Sequence, residues 1–436
     1  MGFFRKKDLN ELTQETKDVR LKKTLNAWDL TLIGLGGIIG VGIFVLSGKV
    51  AALAAGPAIT LSFILAGVIC ISTALIYGEL AAAIPVAGGA YTFSYVVLGE
   101  VFAWLIGFCS ILVCTLGSSM VAAGWAGYLA GGLASKGLEL PAFLGRIPAE
   151  GGFVNLPAVI ITVCITYMLY RGTKESAKLN GILVLVKVLV IGIFFAAAFP
   201  HFDPSNVKEF MPYGIGGVIT GAASVFMAFA GFEQVASAAE ETKNPKRDLP
   251  LAIIGSVAIS TVIYVLITGM LTGIVDYRSL NNAEPMAFAL RENGIGIGSL
   301  LVTIGALGGM PAVILANIYS QSRIVFAMSR DGILPSIFSK LHPKNGTPYI
   351  SLFLSGLLVS LISGFLPIET IAFILNVALL TVFATVSLSA MILRYKRPDL
   401  RRPFKCPAIY VIGSISFLSA LYLVADLLSS NINVAY

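Results

Sequence analysis

The chain has 436 residues, 57% hydrophobic and 12% charged, with 30 Lys and Arg against 23 Asp and Glu for a net charge of +7. Soluble globular chains carry about 25% charged residues, so this composition, with a mean hydropathy of +0.88, excludes that class and marks an integral membrane protein. The five cysteines, Cys70, Cys109, Cys114, Cys164 and Cys406, show neither the paired spacing of a disulfide framework nor that of a metal site.

Residues 1–26 read as a charged, solvated tail without the apolar core of a cleavable signal peptide, which places the N-terminus in the cytoplasm. Apolar stretches near the roughly 17–25 residues that cross a bilayer as helix follow at 27–52, 57–83, 92–128, 156–170, 178–199, 214–239, 250–274, 297–328, 349–365, 369–393 and 407–429. Threading these eleven spans from a cytoplasmic N-terminus puts only Lys49, Lys136, Arg146, Lys208, Arg278 and Arg291 outside and leaves Lys187 within a span. Every other Lys and Arg falls inside, a bias that supports both the spans and the orientation. The positive charge therefore reads as a basic cytoplasmic surface next to anionic membrane lipid, and no nucleic acid is expected as partner.

Span 1 contains GLGGIIGVGIF, in which Gly34, Gly36, Gly37, Gly40 and Gly42 crowd together, although each costs up to about 1 kcal/mol against Ala in a helix interior. Two readings stand. Small residues let helices pack closely, as a G-x-x-x-G pair such as Gly36 and Gly40 does. Alternatively the helix opens here, which hydrocarbon tolerates only where protein buries the freed backbone or the backbone lines a cavity. A phosphate cradle is excluded, because no strand precedes the glycines and no Walker lysine follows them.

Glu79, late in span 2, is expected to serve structure at the inner end of its helix; Asp29, Glu240, Glu241 and Asp426 lie near span ends and read as solvated or interfacial. In span 5, GILVLVKVLVIGIFF sets Lys187 roughly 14–18 Å from either end at helical rise, too far to snorkel to the headgroups. Ionisable groups at such depth face a cavity or a partner, so Lys187 is a candidate titrating cation. Span 6 carries FMAFAGFEQVAS, residues 226–237, with a glycine and Glu233 in mid-membrane. First and sixth positions correspond in transporters built from two inverted halves, whose broken helices offer N–H groups to anions and carbonyls to cations at the midplane. An amino acid zwitterion has one group of each kind.

Other classes fare worse. A channel needs rings of like charge or carbonyl filters, and one asymmetric lysine supplies neither. Both histidines, His201 and His342, fall in loops, and no Ser–His–Asp set or metal cluster occupies the spans, so neither an enzyme nor a cofactor is expected.

Taken together, GLGGIIGVGIF, AAAIPVAGGAYTF, AFAGFEQVASAAEETKNPKRDLP, QSRIVFAMSRDGILP and RPDLRRPFKCP resemble the amino acid–polyamine–organocation superfamily. Within it the closest likeness is to bacterial permeases of the cationic amino acid transporter type, from about Leu21 to Pro407. The resemblance implies an all-α polytopic membrane protein of the LeuT-like fold. Spans 1–5 (27–199) and spans 6–10 (200–393) would form an inverted repeat with discontinuous helices 1 and 6, followed by a basic loop and span 11 (394–436). It also implies a secondary active transporter of the cell membrane that carries L-amino acids by alternating access.

Carried over by position, the substrate carboxylate meets the backbone amides of Gly40, Val41 and Gly42, and its ammonium meets the carbonyls of Ile38, Met227, Ala228 and Ala230. Phe229 matches a bulky lid, and Met310 a wall position that limits side-chain size. Lys187 takes the place of a sodium ion that bridges helices 1 and 8 in sodium-coupled relatives, and its protonation is the implied coupling step. Val41 stands where the family commonly has threonine, Val113 where many relatives carry a carboxylate, and close relatives have a twelfth span. Lys187 favours protons over sodium as the coupling ion; exchange of amino acids or polyamines is the other alternative. The expected pocket holds no acidic residue to meet a cationic side chain, which favours small neutral amino acids.

Overall fold

The computed structural model describes residues 25–86, 88–171, 174–239, 242–342 and 347–434. Most of the tail expected at 1–26, together with Glu240 and Glu241, lies outside them. Among the described residues the fold is helical throughout, apart from one isolated bridge between Leu25 and Thr242. Eight helical stretches are long and apolar enough to cross a membrane, and Ala27–Ile38, Leu156–Arg171 and Tyr349–Phe365 are shorter apolar helices. Because the stretch Gly42–Ala83 holds the second half of span 1 and all of span 2, these elements resolve into the eleven spans expected. The protein is a polytopic, all-α membrane protein whose first and sixth helices are discontinuous.

Two expected spans are built differently. Span 3, expected as one run over 92–128, is preceded by a separate helix, Ala90–Val97, and begins only at Glu100. Gly99 between them has φ 105°, a conformation open to glycine at little cost, and Glu100 then places its carboxylate in the first turn, where the helix dipole favours it. Span 8, expected as one run over 297–328, bends at Met310 between Gly296–Gly309 and Pro311–Arg330. Proline has no N–H to give the preceding turn, so it starts the second segment rather than continuing the first.

Spans 6 and 10 bury 67% of their apolar stretches and spans 5 and 11 only 28%, so the former pair is core and the latter faces lipid. Glu79 closes the structure at one face: Arg394 donates to both its oxygens, Arg402 lies 3.2 Å away, and the Cys406 N–H donates at 2.7 Å. A carboxylate so partnered ties span 2 to the connection between spans 10 and 11, the structural role expected of it.

Candidate functional site

The first half of span 1, Ala27–Ile38, starts from a capping box: the Asn26 side chain accepts from the Trp28 and Asp29 N–H groups, and Asp29 accepts from the Asn26 N–H. Asp29 is thus a cap and not merely an interfacial charge. Regular helix ends where Ile39 turns extended, with ψ 97°. Past it, Gly40, Val41 and Gly42 donate no backbone hydrogen bond among the described residues, and the chain re-enters helix through wide π-type turns from Gly42. Three successive free N–H groups therefore stand at the start of a helical segment, where the peptide dipoles favour an anion.

Span 6 breaks in a complementary way. Helix Gly214–Val225 tightens over Phe226–Phe229, Ala230 is extended, and Gly231 has φ 127° before the short helix Gln234–Ser237. The Met227 N–H donates to Asn376 Oδ1 at 3.0 Å and the Gly231 N–H to Glu233 Oε2 at 2.8 Å. The carbonyls of Phe229 and Ala230 accept no hydrogen bond among the described residues. Those of Ile38 and Ala228 each lie 2.8 Å from the Tyr264 hydroxyl of span 7. A hydroxyl has one proton, so two carbonyls compete for it and acceptor capacity is left for an incoming ammonium.

The two breaks touch. A methyl group added at Gly231 would fall 2.5 Å from the Gly37 carbonyl carbon, and one at Gly42 would strike the Ala228 side chain. Close packing and helix opening are therefore not alternatives: Gly37 and Gly42 allow the approach, while the chain around Gly40 opens.

Ile38, Gly40, Val41, Gly42, Met227, Ala228 and Ala230 line one cavity. Span 3 adds Val113, Gly117, Met120 and Val121, span 8 adds Val313 and Asn317, and span 10 adds Leu375. Glu233 also lines it, which corrects the expectation of a pocket without an acidic residue: the turn through Gly231 brings the carboxylate back toward the break. Asn317 Oδ1 accepts from Gln234 Nε2 at 2.5 Å, joining spans 8 and 6 at this polar end. The remaining side-chain wall is aliphatic or thioether. Phe229 and Met310 are not on it. Phe229 is fully buried edge-on to Phe63 and Tyr264, at 6.3 and 5.2 Å between ring centroids, because the tight turn rotates it away from Met227 and Ala228. Met310 is fully buried at the bend of span 8, one turn before Val313, which does face the cavity.

Residues 25–435 match the amino acid permease family. The chain belongs to that family. It is 43% identical to the branched-chain amino acid permease of Bacillus subtilis, over 97% of this chain and 92% of the relative. To the methylthioribose transporter of the same organism it is 42% identical, over 95% and 90%. It is 36% identical to the vacuolar cationic amino acid transporter 4 of Arabidopsis thaliana, over 87% of this chain and 64% of that one. The permease is accordingly a transporter and not an enzyme.

Lys187 of the permease is fully buried and donates to the Gly36 carbonyl at 2.8 Å, its one hydrogen-bond partner among the described residues. Its stem runs against Gly309, where an added methyl would fall 2.5 Å from Lys187 Cγ. Gly36 lies in the last turn before the break in span 1 and Gly309 ends the first segment of span 8. One side chain thus joins the broken end of span 1 to the bend of span 8, behind the cavity rather than in it.

Tyr264, Asn376, Asn317 and Gln234 were not singled out by the sequence reading, which followed charge. Their signal was available: uncharged polar side chains deep in hydrocarbon need partners, and each of these finds one at a helix break or across the cavity.

Proposed function

We propose that the permease is a proton-coupled importer of small neutral L-amino acids working by alternating access, with its N-terminus in the cytoplasm. The observation that carries this reading is the pairing of three free N–H groups at Gly40, Val41 and Gly42 with under-satisfied carbonyls at Ile38, Ala228 and Ala230 across one cavity. Donors on span 1 and acceptors at Ile38 and on span 6 match the two charges of an α-amino acid, and helix-terminal N–H groups are suited to its carboxylate.

The aliphatic wall from Val113, Val121, Val313 and Leu375 supports an apolar substrate side chain, since an unpaired cation there would bear a large desolvation cost. Glu233 favours a second reading, a cationic substrate. Its Oε2 already accepts the Gly231 N–H, which leaves the neutral reading ahead. Lys187 occupies the junction of spans 1 and 8 with a fixed cation, supporting a proton rather than sodium as the coupling ion. The basic bias of alternate loops supports the cytoplasmic N-terminus.

Counterflow and net uptake of labelled amino acids in proteoliposomes, with and without sodium and with an imposed pH gradient, test the proposal. Leucine, valine and alanine should accumulate with an inward proton gradient and without sodium. Preference for lysine or arginine would select the Glu233 reading, and dependence on sodium would overturn proton coupling.

A further inference from the structure

The connection between spans 10 and 11 runs over residues 397–408, longer than the roughly 2–8 residues usual between neighbouring helices, and it is tightly organised. Arg402 is 7% exposed and donates to the carbonyls of Leu400 and Arg397 at 2.8 Å and of Leu393 at 3.1 Å. Glu79 holds it from span 2, together with Arg394 and the Cys406 N–H. Phe404 and Pro250 of span 7 both pack beside Gly78 of span 2. Burying ions is costly unless they are paired and hydrogen-bonded, and here Glu79, Arg394 and Arg402 meet that condition by fixing the backbone of the connection.

The other cations take no part in this network. Lys396, Arg397, Arg401 and Lys405 are exposed, and Arg397 has Asp399 of the same connection 3.6 Å away. Tyr395 and Tyr410 flank the group at 79% and 53% exposure; tyrosine is a side chain that gathers at headgroup level. Span 11, which starts at Ile409 as the connection ends, presents an apolar stripe, Val411, Ile415, Leu418 and Tyr422, all exposed and spaced to share a helix face. A cationic group on ordered backbone is therefore followed along the chain by an exposed apolar stripe.

We propose that this surface is a binding site for an anionic phospholipid, with the headgroup phosphate on Arg401, Lys405 and Lys396 and the acyl chains along the span 11 stripe. The chemistry of both halves fits one ligand: an anion joined to an apolar chain. Arg402, buried, and Arg394, half-buried, make the site ready before the lipid arrives, so binding costs little ordering of the loop.

The full-length protein in a neutral detergent, titrated with phosphatidylglycerol, phosphatidylcholine or inorganic phosphate while thermal unfolding is followed, tests this. Phosphatidylglycerol should raise Tm; phosphatidylcholine and inorganic phosphate should not. Removing two exposed cations with Arg401→Gln and Lys405→Gln should leave Tm in detergent alone unchanged and raise the phosphatidylglycerol concentration for half effect about 30-fold. Lys136→Gln, at the far end of span 3, should respond like the wild type. Equal responses of the double variant and the wild type, no response of the wild type to phosphatidylglycerol, or full stabilisation by inorganic phosphate would each overturn the proposal.

Discussion

Lys187 is fully buried and reaches the broken end of span 1 through one hydrogen bond. Among the described residues its ammonium donates to the Gly36 carbonyl, and its stem lies against Gly309, so one side chain joins two elements that the proposed alternating-access cycle would move relative to one another. Loss of the proton would remove the charge assistance from that hydrogen bond, which is roughly half its strength. Lys187→Ala should abolish accumulation driven by a pH gradient, and so should Lys187→Met, which keeps most of the volume. Retained pH-driven accumulation in both would remove Lys187 from the coupling step.

Tyr264 acts on the cavity by sharing one proton between two carbonyls. Tyr264→Phe leaves both without a donor, at a cost of about 1–3 kcal/mol for a buried unsatisfied group, so Tm without substrate should fall. A bound ammonium supplies the missing donor, and the Tm shift produced by a saturating transported amino acid should be larger in the variant than in the wild type. Equal shifts would mean that the ammonium does not use these carbonyls. Glu284, between spans 7 and 8, shows a different balance: it is 6% exposed, pairs with Arg291 through one oxygen and leaves Oε2 without a partner. Burial pushes its carboxyl above the ordinary 4.5, further than Arg291 pulls it back. A raised folded-state value makes its contribution to stability full below 4.5 and lost as pH rises through that value. Glu284→Gln should therefore flatten the decline of Tm with pH above 4.5, and an unchanged slope would assign the decline elsewhere.

At the scale of elements, the broken helices depend on glycine for two separate reasons that one sequence motif cannot distinguish. Gly231 combines φ 127° with backbone contact to Gly37. Gly231→Ala should cost about 1–3 kcal/mol in backbone strain, with a further loss from overpacking, and should abolish transport. Gly255 of span 7 has nothing within 4 Å of an added methyl, and Gly255→Ala should be neutral or raise stability by up to about 1 kcal/mol through helix propensity. Similar effects of the two substitutions on Tm would refute the assignment of Gly231 to a packed break. The bend of span 8 belongs to the same scale. Gly308-Gly309-Met310-Pro311 is readable as a weak point, but which side chain the bend turns inward is set by packing against Lys187 and span 3, and it turns in Val313 and Asn317.

Across the whole molecule, ties occur at both ends of the broken spans. On one face Lys49 of span 1 pairs with Glu369 at the start of span 10, at 2.5 Å, and the Tyr213 hydroxyl donates to the Ala52 carbonyl at 3.0 Å. On the other, the Lys243 N–H donates to the Leu25 carbonyl at 2.9 Å, while between the two faces Gln234 meets Asn317 at the cavity. Glu369 is 64% exposed, and exposed pairs contribute about 0–1 kcal/mol. Lys49→Ala should consequently raise the rate at which an impermeant maleimide labels Val121→Cys from that face by no more than about 5-fold. A much larger increase would make this pair the principal lock.

Much of this architecture was legible in the sequence, because hydrocarbon enforces it: each span must satisfy its backbone internally, so apolar length alone marks eleven helices, and charge alone marks Lys187. GLGGIIGVGIF and MAFAGFE likewise announce where two helices weaken, since glycine and an acid are costly there. What those residues face was not legible. Gly37 against Gly231, Tyr264 between two carbonyls, Glu233 within the cavity, and Phe229 and Met310 off its wall all follow from how spans distant in the chain rotate against one another. Local propensity and hydropathy do not encode rotation; side-chain packing among spans 1, 3, 6, 7, 8 and 10 decides it, and with it which backbone groups are left without a protein partner among the described residues.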